Sequence, residues 1–524
     1  MSLTVRSRLG WLLVPVVMAV VLAACGGGDE PSAEAGDDET GAATSSTATP
    51  AADDREPTTT EAPATTSSTA PSTTTEPEPE IEPVVYDGDF SASIAPILAE
   101  RCASCHAPGG PGTAHWELAT VADAADNHRA LLEVIETGFM PPWPAGGDSP
   151  RFADDRSLRP DQLKAVLDWA TAGGEIDVDP GEAIAPASAV VGLADPDVQI
   201  VPEQPYAGSL STVDDYRCQI YDPQLSDGGW ITSYEFVPDQ TEVVHHAIGY
   251  LIPADRRDRA LERDGEDGKP GWSCYGSSGL GADELFLGWA PGQDPTVYPD
   301  GTGLWVDPGA FIVVQVHYHY EVSAPADASA LALEVAPSGD DLEPIEVATL
   351  VAPAEIPCRD GEDGPLCDRD TAIAAAREKY GNEGVQADAI LQICRAEVAD
   401  FAAMTDGTAS SSCDIPVRFV DAIGEVVAVF GHQHELGDWF RMTLNPGKPD
   451  KRVLLDIPDW DFDWQYNYVP VDRIVIDGDD IIRVECGWDR SLRDPTLEPA
   501  YVLWADGTDD EMCFATVTTR PVDS

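Results

Sequence analysis

A small helical domain followed by a β-rich sandwich region, carried on an unstructured N-terminal tether, is the fold class this sequence predicts. Three observations predict it. Residues 26–86 are Thr, Ser, Pro, Ala and acid with almost no large apolar side chains, so they cannot build a core. Residues 87 to about 178 carry helical apolar periodicity. Beyond Pro180 the pattern changes to short β-rich runs cut by Gly, Pro and Asp, as in sandwiches rather than bundles. At 524 residues the chain is long enough for several separate cores.

The first 25 residues read as a signal peptide, with Arg6 and Arg8 ahead of an apolar run from Leu12 to Ala24 that is short for a membrane span. The run ends in Leu22-Ala23-Ala24-Cys25, which resembles the bacterial lipoprotein signal, in which the cysteine is lipidated. The expectation is an extracytoplasmic protein anchored to a bacterial cell membrane by lipid, with residues 26–86 as a disordered tether of roughly 40–45 Å reach. Of the net charge of −64, the tether carries −13 and the signal peptide +2, which leaves −53 on residues 87–524. Folded domains this acidic repel nucleic acid and anionic lipid, so no nucleic-acid partner is expected.

Helical patterns run from Ile94 to Arg101 and from Pro160 to Trp169, the latter ended by Gly173-Gly174. The first leads into Cys102-Ala103-Ser104-Cys105-His106, the c-type haem signature, in which two thiols attach the haem and the histidine ligates iron. Met140 is the only methionine of residues 87–178, in Gly138-Phe139-Met140-Pro141-Pro142-Trp143-Pro144, where prolines impose an extended loop. A thioether held that way suits the sixth iron position, with His115 and His128 as rivals. Residues 87–178 as a whole resemble a class I cytochrome c domain, which implies one covalently bound haem c and one-electron transfer.

Six of the nine histidines fall in three clusters beyond residue 186. His245-His246 lies on the apolar run Val243 to Ile252, where adjacent side chains face opposite ways unless a bulge or strand end intervenes. His317 and His319 follow Val313-Val314-Gln315-Val316 and share one face, so either can join that pair. His432 and His434 follow Val426-Val427-Ala428-Val429-Phe430, again two apart on an expected strand. Met512, in Glu511-Met512-Cys513, adds a thioether, and two imidazoles with a thioether are a soft donor set that favours copper and leaves a position open.

Taken in order, His245-His246, Gln315-Val316-His317-Tyr318, His432-Gln433-His434 and Glu511-Met512-Cys513 resemble the copper type II, ascorbate-dependent monooxygenases, the family of peptidylglycine alpha-hydroxylating monooxygenase and dopamine beta-monooxygenase. Gly288-Trp289-Ala290-Pro291-Gly292 is also similar, and the resemblance covers roughly residues 200–520. It implies two all-β jelly-roll-like sandwich domains, at 186–350 and 351–522, each with one copper ion and facing each other across a wet cleft. His245, His246 and His317 would hold the electron-transfer copper; His432, His434 and Met512 would hold the copper where oxygen is used. Gln315 matches a position near the first copper. Cys486–Cys513 and Cys218–Cys274 match family disulfides. The peptide hydroxylase's carboxylate-binding arginine and tyrosine are replaced by Phe430 and Thr516, neither of which can pair with a carboxylate, so peptide amidation is not expected.

Setting Cys25, Cys102 and Cys105 aside leaves eight cysteines, read as four disulfides of an exported protein. Cys358, Cys367, Cys394 and Cys413 staple a helical insertion near 370–405, read as helices Thr371–Tyr380 and Val385–Met404, in any of three connectivities. This insertion reads as decoration, with a lid or a docking surface for the haem domain as the alternative. Asp264-Gly265-Glu266-Asp267-Gly268 and Asp360-Gly361-Glu362-Asp363-Gly364 nearly repeat but lack EF-hand spacing, so solvated turns are expected over calcium sites.

The functional expectation is a copper-dependent monooxygenase that hydroxylates a C–H bond of a small organic substrate with O2. A fused haem c domain, itself served by an upstream electron donor, would supply the electrons. The alternative is a non-catalytic electron-transfer or copper-binding lipoprotein, which predicts metal binding without substrate-linked oxygen uptake.

Overall fold

The computed structural model describes residues 83–522 apart from 109, 115, 188–191, 194, 321 and 383. The signal peptide, Cys25, residues 26–82 of the tether and His115 lie outside the described residues. Within them strands predominate, and helices gather at 90–171 and in the insertion at 369–401, with a further short helix at Arg257–Arg263.

The helical segment builds its own apolar core. Asp89 caps the first turn, Phe90–Ser93, by accepting from the Ala92 amide, and Ala95–Arg101 follows. Helices His128–Glu136 and Pro160–Thr171 bury Leu131, Ile135, Val166 and Trp169 against Leu98 and Phe90. Proline opens the last helix, where its missing N–H costs nothing, and Gly173 at φ 106° stops it, as the sequence pattern implies.

Two stacks of sheets follow. In the first, a five-stranded sheet runs Trp272–Ser273, Asp214–Tyr221, Phe311–His319, Val244–Ile252, Glu284–Trp289, with Phe311–His319 at its centre. Its apolar face (Tyr221, Val244, Leu251, Val314, Val316) meets Ile231, Phe236, Leu304, Leu331 and Leu333 of a six-stranded sheet in one core. In the second, the sheet Glu346–Val351, Phe514–Arg520, Gly424–His432, Val475–Ile476 shares a core with the sheet Thr408–Pro416, Ile481–Asp489, Gly437–Leu444, Arg452–Ile457. Alternation of side chains explains the economy: each strand gives one set of residues to the core and leaves the other set for chemistry.

Four disulfides form: Cys218–Cys274, Cys358–Cys367, Cys394–Cys413 and Cys486–Cys513. The two pairs implied by the resemblance are present, and the four insertion cysteines adopt one of their three connectivities. Such pairing belongs to an oxidising, extracytoplasmic environment. No helix among the described residues is long and apolar enough to cross a membrane.

The insertion departs from its expected form. Arg369–Tyr380 is a helix, but the stretch expected as one helix over Val385–Met404 divides into Ala387–Cys394 and Val398–Phe401. Arg395 adopts left-handed backbone at φ 56°, and Cys394 is drawn to Cys413, which together end the first piece. Arg369 ties the insertion to the sheet through two 2.6 Å contacts with the buried Glu355 carboxylate. The acidic turns are also committed: Asp267 pairs in fork geometry with Arg217, Asp264 accepts from the Gly271 amide, and Glu362 binds Arg359 and Arg490.

The helical segment does not stand apart from the second stack. Its loop at 146–153 is laced to it by backbone bonds, among them Gly146 N to Asp456 O (3.0 Å), Ala153 N to Val469 O (2.8 Å) and Val471 N to Arg151 O (2.9 Å). Phe152 enters the second stack's core, and Trp143 packs against that core. Arg156 reaches the first stack, donating to Gly292 O (2.7 Å) and Asp294 (2.6 Å). The described residues hold separate apolar cores, but the extended proline-rich loop packs in part on the second stack, and the strand Glu346–Val351, read from the sequence as the end of the first sandwich, belongs to the second stack.

Candidate metal centres

His245, His246 and His317 meet because of one irregularity. The ladder between Val244–Ile252 and Phe311–His319 pairs Val244 with Tyr318 and His246 with His317, so His245 is the extra residue of a bulge. This resolves the difficulty of adjacent strand residues facing opposite ways. The Nδ1 atoms of His245 and His317 each lie 3.2 Å from Nδ1 of His246, a spacing that ligands about 2.0–2.1 Å from one ion allow. All three rings offer a nitrogen to the same point.

Tautomers follow from the outer partners. His317 Nε2–H donates to Asp214 (2.9 Å), which leaves its Nδ1 lone pair toward the cluster, and its ring stacks on Tyr216 at 4.3 Å. Asp214 also accepts from His319 Nδ1 (2.9 Å) and from the Thr508 hydroxyl (2.9 Å). His319 thus supports the group and lies outside the triad. Gln315 donates to the Cys274 carbonyl at 3.1 Å, which locks the disulfide loop to the central strand. Burial and the neighbouring imidazoles hold His246 well below its ordinary pKa, and burial lowers His317 to about 4, so both rings are in the neutral form a metal requires.

The second cluster sits at a strand terminus. The strand Gly424–His432 ends at His432, and His434 lies just beyond it, a correction to the expectation that both stand on the strand. The cause is Glu511: its carboxylate accepts from the amides of His434 (3.0 Å), Leu436 (2.7 Å) and Met512 (3.2 Å) and from Trp488 Nε1 (3.0 Å), so it takes over the hydrogen bonds a continuing ladder would make. His432 pairs with Phe514 across the sheet, the last pair of that ladder, and beyond it one Glu511 oxygen accepts from both the His434 and the Met512 amides, which ties the two chain segments together. His432 donates Nδ1–H to Gln465 Oε1 (2.6 Å) and His434 donates Nδ1–H to Asp510 O (3.2 Å), so each keeps a bare Nε2. Burial lowers His432 to about 4 and drives His434 further down.

The two clusters are close neighbours. The rings of His246 and His432 are 6.2 Å apart, and Phe462 stacks on His245 at 4.8 Å and stands 6.1 Å from His434. This is tighter than the open, wet cleft that the resemblance implies. Phe430 and Phe514 flank His432 at 6.4 and 6.3 Å, and Phe430 pairs with Thr516 across the sheet, so the wall beside the second cluster is mainly apolar.

In the helical segment, Cys102 and Cys105 are the free cysteines among the described residues. Burial pushes the Cys102 thiol up to about 12. His106 closes the turn Ala103–His106 and donates Nδ1–H to the Trp116 carbonyl (2.8 Å), which directs Nε2 outward. A Cβ on Gly112 would stand 2.7 Å from the His106 ring, so only glycine lets the loop cover it. Trp116 Nε1 is buried without a hydrogen-bond partner, an orphaned donor beside the imidazole. These features fit a covalently held haem with an acidic periphery. His128 donates to Ala125 O (2.7 Å). Met140 lies in the loop whose rings Phe139 and Trp143 reach Trp464 (5.9 Å) and Tyr466 (6.0 Å).

Sequence reading missed Asp214, Thr508, Gln465, Phe462 and Glu511 as supporting groups. One signal was present: Trp460, Phe462, Trp464, Tyr466 and Tyr468 place an aromatic ring at every second position, too regular for an ordinary loop.

No protein-family model matches the chain, and no curated protein matches it. Solved structures give weak likenesses. PNGase F, a glycosylasparaginase from Flavobacterium meningosepticum, aligns over 62% of this chain and 97% of its own at 8% identity and a TM-score of 0.22. An oxalate decarboxylase aligns over 65% and 81% at 9% identity and 0.10. The VP2 subviral particle of infectious bursal disease virus aligns over 64% and 75% at 8% identity and 0.14. Likeness at these scores carries no argument about fold or function.

Proposed function

We propose that the chain is a lipid-anchored, extracytoplasmic copper monooxygenase of the copper type II class, with a fused cytochrome c domain as its electron source. The observation that carries the reading is the convergence of three imidazole nitrogens beside a second histidine pair, of which His434 shares the Glu511 carboxylate with Met512. His245, His246 and His317 would hold one copper through Nδ1; His432, His434 and Met512 would hold the other through Nε2 and the thioether. Cys102, Cys105, His106 and Met140 would hold haem c. Copper supplies one-electron chemistry and activation of O2, and haem c supplies single electrons.

The chain's own groups account for the rest. Asp214 and Gln465 fix which nitrogen of His317 and of His432 is bare, so neither ring can turn its protonated edge inward. Glu511 ties together the two chain segments that carry His434 and Met512. Phe430, Phe514 and Phe462 limit water around the second cluster and offer a substrate apolar surface. With Phe430 and Thr516 in place of carboxylate-binding groups, the substrate class is a small apolar or aromatic molecule without a carboxylate.

The test is a screen of small aromatic and aliphatic compounds with the reduced, metal-loaded full chain under ¹⁸O₂. A product heavier by one labelled oxygen atom, formed with substrate-linked oxygen uptake, is expected. Copper and haem present at full occupancy, with no labelled product from any compound class, would favour the electron-transfer reading instead.

A further inference from the structure

One segment lies between the loop that carries Met140 and the two histidine clusters. Residues 460–468 leave the strand Arg452–Ile457, turn at 462–463 and then run extended between the helical segment and the two histidine clusters. On one side, Phe462 stacks on His245 (4.8 Å), Asp463 pairs with His245 Nε2 (3.7 Å), and Gln465 accepts from His432 (2.6 Å). On the other, Trp464 meets Phe139 edge-on (5.9 Å), Tyr466 stacks with Trp143 (6.0 Å), and the Arg156 guanidinium lies over Tyr466 (4.8 Å). Phe139 and Trp143 bracket Met140.

Extended backbone explains the division of labour, because successive side chains from 463 to 466 alternate between the two sides. The strap is also held firmly. Tyr468 and Val429 exchange both backbone hydrogen bonds (2.8 and 2.9 Å), Gln465 donates to the Phe462 carbonyl (2.7 Å), and Gln465, Tyr466 and Tyr468 are buried.

We propose that this strap is the electron path from the haem-binding loop to the histidine clusters, entering at Trp464 and Tyr466 and leaving through Gln465 to His432 and through Phe462 to His245. The proposal rests on the reading of the haem and copper sites given above. The step is a single electron: ferrous iron becomes ferric, one cupric ion becomes cuprous, and no atom or proton is exchanged. Covalent bonds and one short hydrogen bond carry an electron better than the gaps between packed rings. The route Trp464, Gln465, His432 consists of peptide bonds and the 2.6 Å contact once the Phe139–Trp464 gap is crossed. Gln465 thereby acts as a positioning residue with a second role as conduit.

The test uses the full chain with haem and copper bound. A photochemical pulse under anaerobic conditions reduces the haem, and its reoxidation is followed in the visible band alongside loss of the cupric electron-spin signal. Gln465→Leu is expected to slow haem-to-copper transfer. Haem content and the haem midpoint potential should stay unchanged, and copper content and potential are measured on the same sample because Gln465 also orients His432. Trp464→Leu is the second variant, since Trp464 Nε1 has no hydrogen-bond partner and its ring serves Phe139; it decides the matter should Gln465→Leu lose copper. Slowing in Trp464→Leu supports the path. Unchanged transfer in a variant that keeps its metals and potentials overturns the path alone. Absence of transfer in the unaltered protein, with its copper still reducible by ascorbate, overturns both the path and the fused-donor reading.

Discussion

Met512→Ile should cut substrate-linked oxygen consumption at least about 100-fold, a loss of the size expected when a group acting directly on the reacting centre is removed. The substitution is close in volume, and Met512 is only partly buried at the edge of the second core, so folding should survive it. The effect should be confined to one site. Met512 lies two residues from Phe514, which pairs with His432, whereas the triad of His245, His246 and His317 belongs to a different sheet. The haem spectrum and the triad's copper should therefore be unaffected, and oxygen-electrode rates with elemental analysis on the same sample would show it.

Glu511→Ala should be as damaging by another route. Its carboxylate is fully buried and accepts from four N–H donors; burial outweighs those donors and leaves its pKa raised to about 8. Truncation strands the donors of His434, Leu436, Met512 and Trp488, and each buried unpaired donor costs about 1–3 kcal/mol before water or relaxation recovers part of it. A loss of about 3–5 kcal/mol in urea unfolding is expected, together with loss of copper from the His432/His434 site. Glu511→Gln should fall between, because one of its two acceptor atoms becomes an NH2 facing other donors. A variant as stable and as copper-replete as the parent would show that Glu511 is not what ends the strand at His432.

How legible this was in the sequence depends on the range of the interactions involved. Apolar runs such as Trp230 to Val237 and Val243 to Ile252 match the observed strands to within a residue, since period-two burial is a local property. The histidine pairs were visible for the same reason, and the need for a bulge or a strand end at His245-His246 followed from strand geometry, with the fold choosing the bulge. Connectivity of Cys358, Cys367, Cys394 and Cys413 was not legible, because spacing permits three pairings and only the tertiary fold chooses. The break at Arg395 was hidden as well: Ala387 to Phe401 has the composition of one helix, and a cross-link to Cys413 overrides propensity.

Groups that orient the metal ligands were the least accessible. Asp214 lies 103 residues from His317 and Glu511 lies 77 from His434, and in a chain with 94 acidic residues no local feature marks these two. Gln465 had one pointer, the alternating aromatic residues around it. The lacing of residues 146–153 to the second stack had none, since backbone hydrogen bonds leave no trace in side-chain identity.

The central claim is that five imidazoles and one thioether form two copper sites fed by one haem. Metal analysis of the full chain, produced in an oxidising compartment and supplied with copper, tests it most directly. Two coppers and one iron per chain are expected, falling to one copper in His317→Ala. Zinc in place of copper, a single copper in the parent, or two coppers retained by His317→Ala would contradict the account.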